Sequence, residues 1–144
     1  MNDLPIPLSA VLEALADFHQ RFPRPGIDAL ELSEPYFVET DWAIKGKSVP
    51  HSYHAGVYFL FNRDEALLYI GKSDGLGARV GGRFMWNAYK TAGVVKDPSH
   101  RGAGVVSVRA IAFLDEHWFE SAAVEAYLID ALKPPLNRVG TNRF

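Results

Sequence analysis

Six residues of the sequence have side chains that could together cleave a phosphodiester bond: two of its tyrosines, a lysine, an arginine, a glutamate and an asparagine. The tyrosines lie eleven residues apart in two short β-favouring runs, Gly56-Val57-Tyr58 and Leu68-Tyr69-Ile70-Gly71. The other four residues are Lys72, Arg79, Glu125 and Asn137. Cations can stabilise charge on a phosphoryl group, phenols can orient or deprotonate water, and a carboxylate can hold a divalent metal ion. This set therefore suits metal-assisted phosphodiester cleavage.

Glu125 lies inside an apolar helical pattern, one turn before Ile129, whereas Glu116 and Glu120 are expected on a solvated face. A carboxylate within an apolar stripe needs a cation or a hydrogen-bonding partner, because an isolated buried charge is very costly. One interpretation is a salt bridge at the helix edge, for example with Arg109. The other is a Mg²⁺ ion that keeps much of its hydration shell and needs few protein ligands.

Tyr58 and Tyr69 fall on the two strands of a predicted hairpin, so their phenols could approach each other. Each could equally be a core residue with one satisfied hydroxyl group. The flanking glycines, Gly56 and Gly71, favour a special role, because glycine in a strand often marks a close approach to the backbone.

Arg79 lies on the helix predicted after the hairpin, and its planar guanidinium group suits phosphate oxygens. A surface ion pair is the alternative. Lys72, just past the strand end, could reach the same anion, and Arg83 is expected one turn beyond Arg79 on the same helix face. Asn137, which follows Pro134-Pro135-Leu136, would by itself be a turn residue.

In their order and spacing these residues resemble the GIY-YIG nuclease family, over about residues 54–140. The first tyrosine run, Gly56-Val57-Tyr58, is similar to the first family motif, and Tyr69-Ile70-Gly71 matches the second. The positions of the family arginine, metal-binding glutamate and late asparagine are matched by Arg79, Glu125 and Asn137.

The resemblance implies an α/β fold, of the α+β sandwich type, in which helices flank a small central, mainly antiparallel sheet of three strands. It also implies hydrolysis of nucleic-acid phosphodiesters with Mg²⁺ or Mn²⁺. By analogy, Tyr58 would act as or orient the general base, and Tyr69 would position water and phosphate. Arg79 and Lys72 would balance charge on the phosphorane, and Glu125 would anchor the metal ion.

The remaining members of the site would have supporting roles, and one departs from the family pattern. Asn137 would hold the site together, and Gly71 belongs to the second motif. Some relatives have a histidine one turn after the arginine, whereas this chain has Arg83 there. If a histidine contributes, it has to be another one, such as His54 or His100, for which we expect loop or surface positions.

The elements that must position these residues follow from apolar periodicity and breaker residues. The predicted elements are a helix over 8–22, short strands or a wrapping loop over 27–54, a hairpin of Gly56–Phe61 and Ala66–Gly71, a helix capped by Asp74 and running to about Trp86, a loop over about 93–104, a strand over Val105–Leu114 and a helix over about Asp115–Leu132. We therefore predict one domain, in which residues 55–144 form the nuclease-like part and residues 1–54 an N-terminal extension.

Length and composition indicate one soluble domain of 144 residues with an apolar fraction of 48% and no cysteine. The absence of cysteine excludes disulfides and thiolate zinc sites. The N-terminus lacks a signal-peptide pattern, and no apolar run approaches the roughly 18 residues of a membrane span. We expect a cytoplasmic protein without a membrane partner.

The net charge of −2 argues weakly against a nucleic-acid partner, but the charge is unevenly distributed. Residues 1–54 carry four Lys/Arg against eight Asp/Glu, a net of −4. Residues 55–110 carry eight against four, a net of +4, and residues 111–144 carry three against five, a net of −2. The central segment is thus the basic one, and a local positive field can attract a polyanion.

The leading hypothesis is a metal-dependent endonuclease for which DNA is the favoured substrate, with RNA left open. The alternatives are a catalytically silent nucleic-acid-binding module and a partner-binding protein that uses residues 1–54. The selection of the nucleic-acid site to be cleaved would depend on residues 1–54, the loop over 87–104, homodimerisation or a separate specificity subunit.

Overall fold

A four-stranded antiparallel sheet forms the centre of the molecule in the computed structural model, which describes residues 4–27 and 29–138. Its strands are β1 (Tyr36–Phe37), β2 (Ala55–Phe61), β3 (Leu67–Ser73) and β6 (Ser107–Phe113), in the spatial order β1-β6-β2-β3. A separate two-stranded antiparallel sheet consists of β4 (Phe84–Trp86) and β5 (Gly93–Val95).

Helices flank the sheet, as expected. They are α1 (Leu8–Arg21), a π-helical turn (Val38–Trp42), α2 (Leu76–Gly81), α3 (Pro98–Ala103), a 3₁₀ turn (Asp115–His117), α4 (Glu120–Leu132) and α5 (Pro135–Arg138). The predicted α+β class is confirmed, although a short fourth strand, β1, extends the expected three-stranded sheet. Within the described ranges, no helix combines the length and apolar character needed to cross a bilayer.

The central strand β2 is buried along its whole length because both faces of the sheet are covered. On one face, the core consists mainly of Tyr36, Tyr58, Leu60, Leu76, Val80, Phe84, Val108 and Ala110. On the other face, α1 and α4 complete a core that includes Val11, Leu15, Phe18, Val57, Phe59, Ile111, Val124 and Leu128. Side chains alternate along β2, so Tyr58 belongs to the first core and its neighbours to the second.

The hairpin that the β-favouring runs predict is confirmed as β2 and β3. Asn62 builds its turn, since the Asn62 Oδ1 accepts hydrogen bonds from the backbone N–H groups of Asp64 and Ala66, both at 2.9 Å. Asparagine side chains commonly organise turns in this way, while Glu65 adopts the left-handed conformation at φ 58°.

The N-terminal segment packs on the sheet and on the last long helix. The Phe18 ring of α1 lies 5.1 Å from the Tyr127 ring of α4, measured between centroids. The Leu67 N–H donates to the Ile6 carbonyl at 2.8 Å, so the chain before α1 covers the start of β3. This segment also supplies β1, whose pairing partner is β6.

The helix predicted from Asp74 to about Trp86 is wrong at both ends. The N-cap residue of α2 is Gly75, without a side-chain cap, and the helix ends at Gly81. Two consecutive glycines, Gly81 and Gly82, have low helix propensity, and the β-favouring residues that follow form β4.

The loop predicted over about 93–104 is also wrong, since it contains β5 and α3. Asp97 caps α3 by accepting hydrogen bonds from the backbone N–H groups of Ser99 at 2.8 Å and His100 at 3.2 Å. Pro98 occupies the first turn, where its missing N–H costs nothing. The Asp-Pro pair was therefore a helix-start signal.

The helix predicted over about Asp115–Leu132 is divided into the 3₁₀ turn and α4. Glu116 is exposed as expected, but the expectation that Glu120 is solvated is wrong. Glu120 is buried, and its carboxylate pairs with Arg24 at 3.1 Å. The preceding strand keeps its predicted position but is shorter than Val105–Leu114.

Candidate active site

The two tyrosines meet on one side of the hairpin. Tyr58 on β2 lies directly opposite Gly71 on β3, and a Cβ atom at Gly71 would overlap the Tyr58 Cζ and Oη atoms. The ring centroids of Tyr58 and Tyr69 are 6.2 Å apart. Gly71 is therefore needed because the Tyr58 ring itself lies against the backbone. At Gly56 the close neighbours are likewise protein atoms, the Ile111 carbonyl and a Leu76 methyl group.

Arg83 lies against both phenol rings. Its guanidinium carbon is 5.3 Å from the Tyr58 ring centroid and 5.5 Å from that of Tyr69, within cation–π range. The expectation that Arg83 shares a helix face with Arg79 is wrong, because α2 ends two residues before Arg83. The Arg83 Nε is buried and has no hydrogen-bond partner among the described residues, which leaves a donor next to the phenols.

His100 joins the same cluster, so its expected surface role is wrong. Its side chain is buried, with 8% exposure, and its ring centroid lies 4.9 Å from that of Tyr69. Burial lowers the pKa of His100, Asp97 opposes this effect, and the Arg83 charge adds to it. The imidazole is therefore neutral at pH 7 and able to accept a proton. His100 reaches the Tyr69 ring because its segment of the chain folds as the helix α3.

The other candidate histidine, His54, remains in the loop before β2. Its backbone carbonyl accepts a hydrogen bond from the Leu76 N–H at 2.9 Å, which ties this loop to the start of α2. Its Nδ1 atom is buried and has no hydrogen-bond partner in the part of the chain that the structure describes. Its ring lies 6.3 Å from that of His51, measured between centroids.

Glu125 is half-buried on α4, and the charges of two predicted site residues act on its carboxylate. Burial raises the pKa of Glu125, while Lys72 and Arg79 lower it. None of the ion pairs within the described residues includes Glu125. The predicted alternative partner, Arg109, pairs instead with Glu65 at 2.7 Å, so that alternative is wrong.

The charge of Arg79 lowers the pKa values of both Glu125 and Tyr58, so it acts on the carboxylate and on one of the two phenols. Arg79 and Lys72 are exposed. Both line an open depression of about 630 Å³, which also includes Ser73, Asp74, Gly75, Ala78 and Gly82. Lys72 and Arg79 thus place two positive charges in an open depression that an anion can enter, although Asp74 also lines it.

The protonation of Tyr58 is set mainly by burial. Burial raises the pKa of Tyr58 to about 12, Arg83 and Arg79 lower it, and Tyr69 raises it. With only 1% of the residue exposed, the phenol keeps its proton at neutral pH. Tyr58 is therefore a hydrogen-bond donor in the free protein.

Asn137 fixes the strand segment between Tyr69 and Gly71. Its Oδ1 accepts from the Ile70 N–H at 2.8 Å, and its Nδ2 donates to the Ile70 carbonyl at 2.9 Å. Because β3 is an edge strand of the sheet, these two backbone groups would otherwise have no strand partner. The buried amide thus completes the hydrogen bonding of the strand that carries Tyr69.

A hard divalent cation fits the donor chemistry of Glu125. The carboxylate is free of the ion pairs found among the described residues, and oxygen is the donor type that Mg²⁺ and Mn²⁺ prefer. No group of three or more His, Cys, Asp or Glu side chains suited to a metal occurs within residues 4–27 and 29–138. A single carboxylate supplemented by water fits Mg²⁺, which retains several water ligands.

Comparisons of the chain with protein-family models, with curated proteins and with solved structures found no match. The resemblance to the GIY-YIG family therefore depends on the motif residues alone. Ring contacts or charge interactions relate the four predicted catalytic residues and one predicted supporting residue to one another: Tyr58, Tyr69, Arg79 and Glu125, with Lys72. Gly71 and Asn137 act on the strand beneath them, and Arg83 and His100 extend the cluster.

Proposed function

We propose that this protein is a divalent-metal-dependent endonuclease that hydrolyses phosphodiester bonds in DNA. The observation that carries the proposal is the position of Arg79, which lines an open depression together with Lys72 and whose charge lowers the pKa values of Tyr58 and Glu125. Phenol, cation and carboxylate are the groups required by the motif resemblance, and Arg79 and Lys72 line an open depression. The motif order supports assignment to the GIY-YIG family.

The exposed cations would bind the scissile phosphate. Arg79 can donate two parallel hydrogen bonds to phosphate oxygens, while Lys72 contributes a point charge. Both charges would stabilise the additional negative charge that develops on phosphorus in the transition state. Arg83 is held against the two phenol rings, so its positive charge reinforces this field from the buried side.

The tyrosines would orient the attacking water rather than remove its proton unaided. With a pKa of about 12, Tyr58 is protonated at neutral pH and can donate a hydrogen bond to water or phosphate. Tyr69 contacts His100, whose lowered pKa keeps the imidazole neutral. His100 would then accept the proton of the attacking water, a histidine function that Arg83 cannot supply.

Glu125 would hold the metal ion. When bound, a divalent ion would supply Lewis-acid stabilisation of the leaving oxygen. Glu125 must be deprotonated to act as a ligand, and Lys72 and Arg79 favour that state by opposing the effect of burial.

A catalytically silent DNA-binding module is the second candidate function, and one observation favours it. Arg83 occupies the place of the histidine found in some relatives, and burial keeps Tyr58 protonated, so that it cannot accept a proton at neutral pH. A cation-lined depression could bind a phosphate without cleaving it.

Nicking of supercoiled plasmid with Mg²⁺ or Mn²⁺ distinguishes these two functions. We expect the wild type to nick DNA and EDTA to abolish nicking. Glu125→Gln, which removes the charge but keeps the shape, should lower the rate by about 100-fold or more. Glu116→Gln is the matched control, because Glu116 has 74% side-chain exposure on the neighbouring turn, and it should cleave like the wild type.

Two outcomes would contradict the nuclease assignment. Equal nicking by the wild type and Glu125→Gln would identify a contaminating nuclease. Wild-type protein that binds DNA with either metal present but leaves it intact would instead favour the silent module.

A further inference from the structure

The hairpin of β4 and β5 begins and ends beside the candidate active site. Arg83, which contacts both phenol rings, directly precedes β4. The Lys96 N–H, just after β5, donates to the Arg83 carbonyl at 2.7 Å. His100, which contacts Tyr69, follows on α3. Whatever the tip of this hairpin binds is therefore held near the phosphate-binding depression.

The hairpin is firmly attached to the body of the protein. A Cβ atom at Gly93 would overlap the Val38 carbonyl and lie 2.8 Å from Trp42 Cε3, so β5 packs tightly on the π-helical turn. The Trp42 ring also lies 5.9 Å from both Phe84 and Trp86 of β4, between centroids. This packing limits movement of the strands relative to the site.

The tip of the hairpin is ordered by Asn87. The Asn87 Oδ1 accepts from the Thr91 N–H at 2.9 Å, and the Asn87 Nδ2 donates to the Thr91 Oγ1 at 3.0 Å. Lys90 adopts the left-handed conformation at φ 55°, and its N–H donates to the Asn87 carbonyl at 3.0 Å. This ordered loop carries Tyr89 with 85% exposure, so an aromatic ring is held in solvent without a packing role.

The hairpin and the helix before it have only positive charges. Residues 75–96 contain Arg79, Arg83, Lys90 and Lys96, and no Asp or Glu. Exposed aromatic rings interleaved with cations are typical of surfaces that bind single-stranded nucleic acid, because bases stack on the rings while cations neutralise phosphates. The exposed Trp118 differs in this respect, since acidic residues such as Asp115 and Glu116 precede it.

We propose that this hairpin binds unpaired bases of the DNA substrate, with Tyr89 stacking on a base and Lys90 and Lys96 contacting the backbone. The preferred substrates are then single strands and flaps rather than continuous duplex. This inference rests on the proposed function, which it makes more specific.

The length of the hairpin sets where cleavage occurs relative to the unpaired base. The three residues of β4 separate Arg83 from the start of the tip at Asn87, which makes four residue steps or about 13 Å at about 3.3 Å per residue. Successive nucleotides of one duplex strand are spaced by about 3.4 Å along the axis, so this distance spans about four nucleotides. Cleavage is therefore expected within about four nucleotides of the unpaired bases.

Fluorescence anisotropy in EDTA tests the inference without cleavage, using a labelled single strand, a duplex and a flap of matched length. Tyr89→Ala should weaken binding to the single strand and the flap at least about fivefold, the lower end of what one stacked base contributes. Binding to duplex should change less than about twofold. Tyr89→Phe retains the ring and should bind like the wild type, as should the control Trp118→Ala. Because Tyr89 is exposed, these variants should fold normally, which circular dichroism checks.

The possible failures are distinguishable. In one such outcome, the wild type binds the flap and Tyr89→Ala binds it equally well. In another, Tyr89→Ala weakens binding to the flap and to the duplex equally. Either result would overturn the role of the hairpin while leaving the nuclease proposal in place. Absence of wild-type binding to all three DNAs in EDTA would also overturn the role of the hairpin, while plasmid nicking with Mg²⁺ or Mn²⁺ decides the nuclease proposal separately. Tighter binding to RNA of the same sequence would overturn the assignment of DNA as the ligand.

Discussion

At the residue scale, the buried phenol of Tyr58 connects the chemistry of the site to the stability of the fold. Its hydroxyl group is surrounded by Tyr69 and two arginines, and its folded-state pKa of about 12 lies above the ordinary value of 10.0. A raised folded-state pKa means that the protonated phenol favours folding below the ordinary pKa. This stabilisation is lost as the pH rises through the folded-state pKa.

We therefore predict that the free energy of unfolding falls between about pH 10 and pH 12, and that Tyr58→Phe reduces this fall. Urea unfolding at a series of alkaline pH values measures it. Tyr53→Phe is the matched control, because Tyr53 is 95% exposed, and this variant should keep the wild-type pH dependence. An identical alkaline loss in wild type and Tyr58→Phe would show that the Tyr58 phenol is not held protonated by burial.

The sequence predicted the types of residue in the site better than their contacts. Tyr58 and Tyr69 lie on adjacent strands of a short hairpin, so their proximity follows from local pairing. The neighbours of His100 and Arg109 depend on how distant segments pack, and spacing along the chain contains no information about that packing. The same reason explains the wrong expectation for Glu120, whose partner Arg24 belongs to the N-terminal segment.

At the element scale, the hairpin depends on Gly71, across which the Tyr58 ring lies. A methyl group there would overlap the ring, and the neighbouring strands leave little room for the ring to move. We predict that Gly71→Ala lowers the free energy of unfolding by about 1–3 kcal/mol, a typical cost of overpacking. Equilibrium urea unfolding measures this change.

The control for this substitution is Gly102→Ala, because an added Cβ at Gly102 would have no atom within 4 Å. It should leave stability unchanged or raise it slightly, since alanine favours the helix α3 more than glycine does. Equal stability of Gly71→Ala and Gly102→Ala would contradict the tight packing of Tyr58.

Helices and strands were predicted correctly where the local residue preferences were strong. They were predicted wrongly where the preferences of neighbouring residues opposed each other. The alternating, β-branched and aromatic residues of β2 and β3 identified the hairpin. In the following segment, the helix was predicted to run to about Trp86, but Gly81 and Gly82 ended it. The strand β1 has only two residues and is defined by its pairing with β6, so the sequence predicted no more than short strands or a wrapping loop there.

At the scale of the whole molecule, a net charge of −2 coexists with the positive segment over 75–96. The exposed cations Lys72, Arg79, Lys90 and Lys96 give four candidate phosphate contacts, and each contact lowers log K by about 0.7 per unit of log salt for a single strand. We predict a single-strand slope no steeper than about −2.8. Lys96→Gln should reduce its magnitude by about 0.7, as measured by anisotropy over a KCl series.

Lys45→Gln is the control for the salt dependence, because Lys45 belongs to the acidic N-terminal segment and lies 3.8 Å from the Asp41 carboxylate. Its slope should equal that of the wild type. A reduction of equal size in Lys45→Gln and Lys96→Gln would indicate that overall charge, rather than the segment over 75–96, attracts DNA.

The hydrogen bonds between Asn137 and Ile70 have a consequence for synthesis on the ribosome. The chain emerges from its N-terminus, so both tyrosines and Arg79 leave the ribosome before Glu125 and Asn137. A nascent polypeptide therefore lacks the carboxylate proposed to hold the metal ion and the amide that secures the strand of Tyr69. If the finished protein cuts DNA, a chain that ends before Glu125 and Asn137 is expected to be inactive.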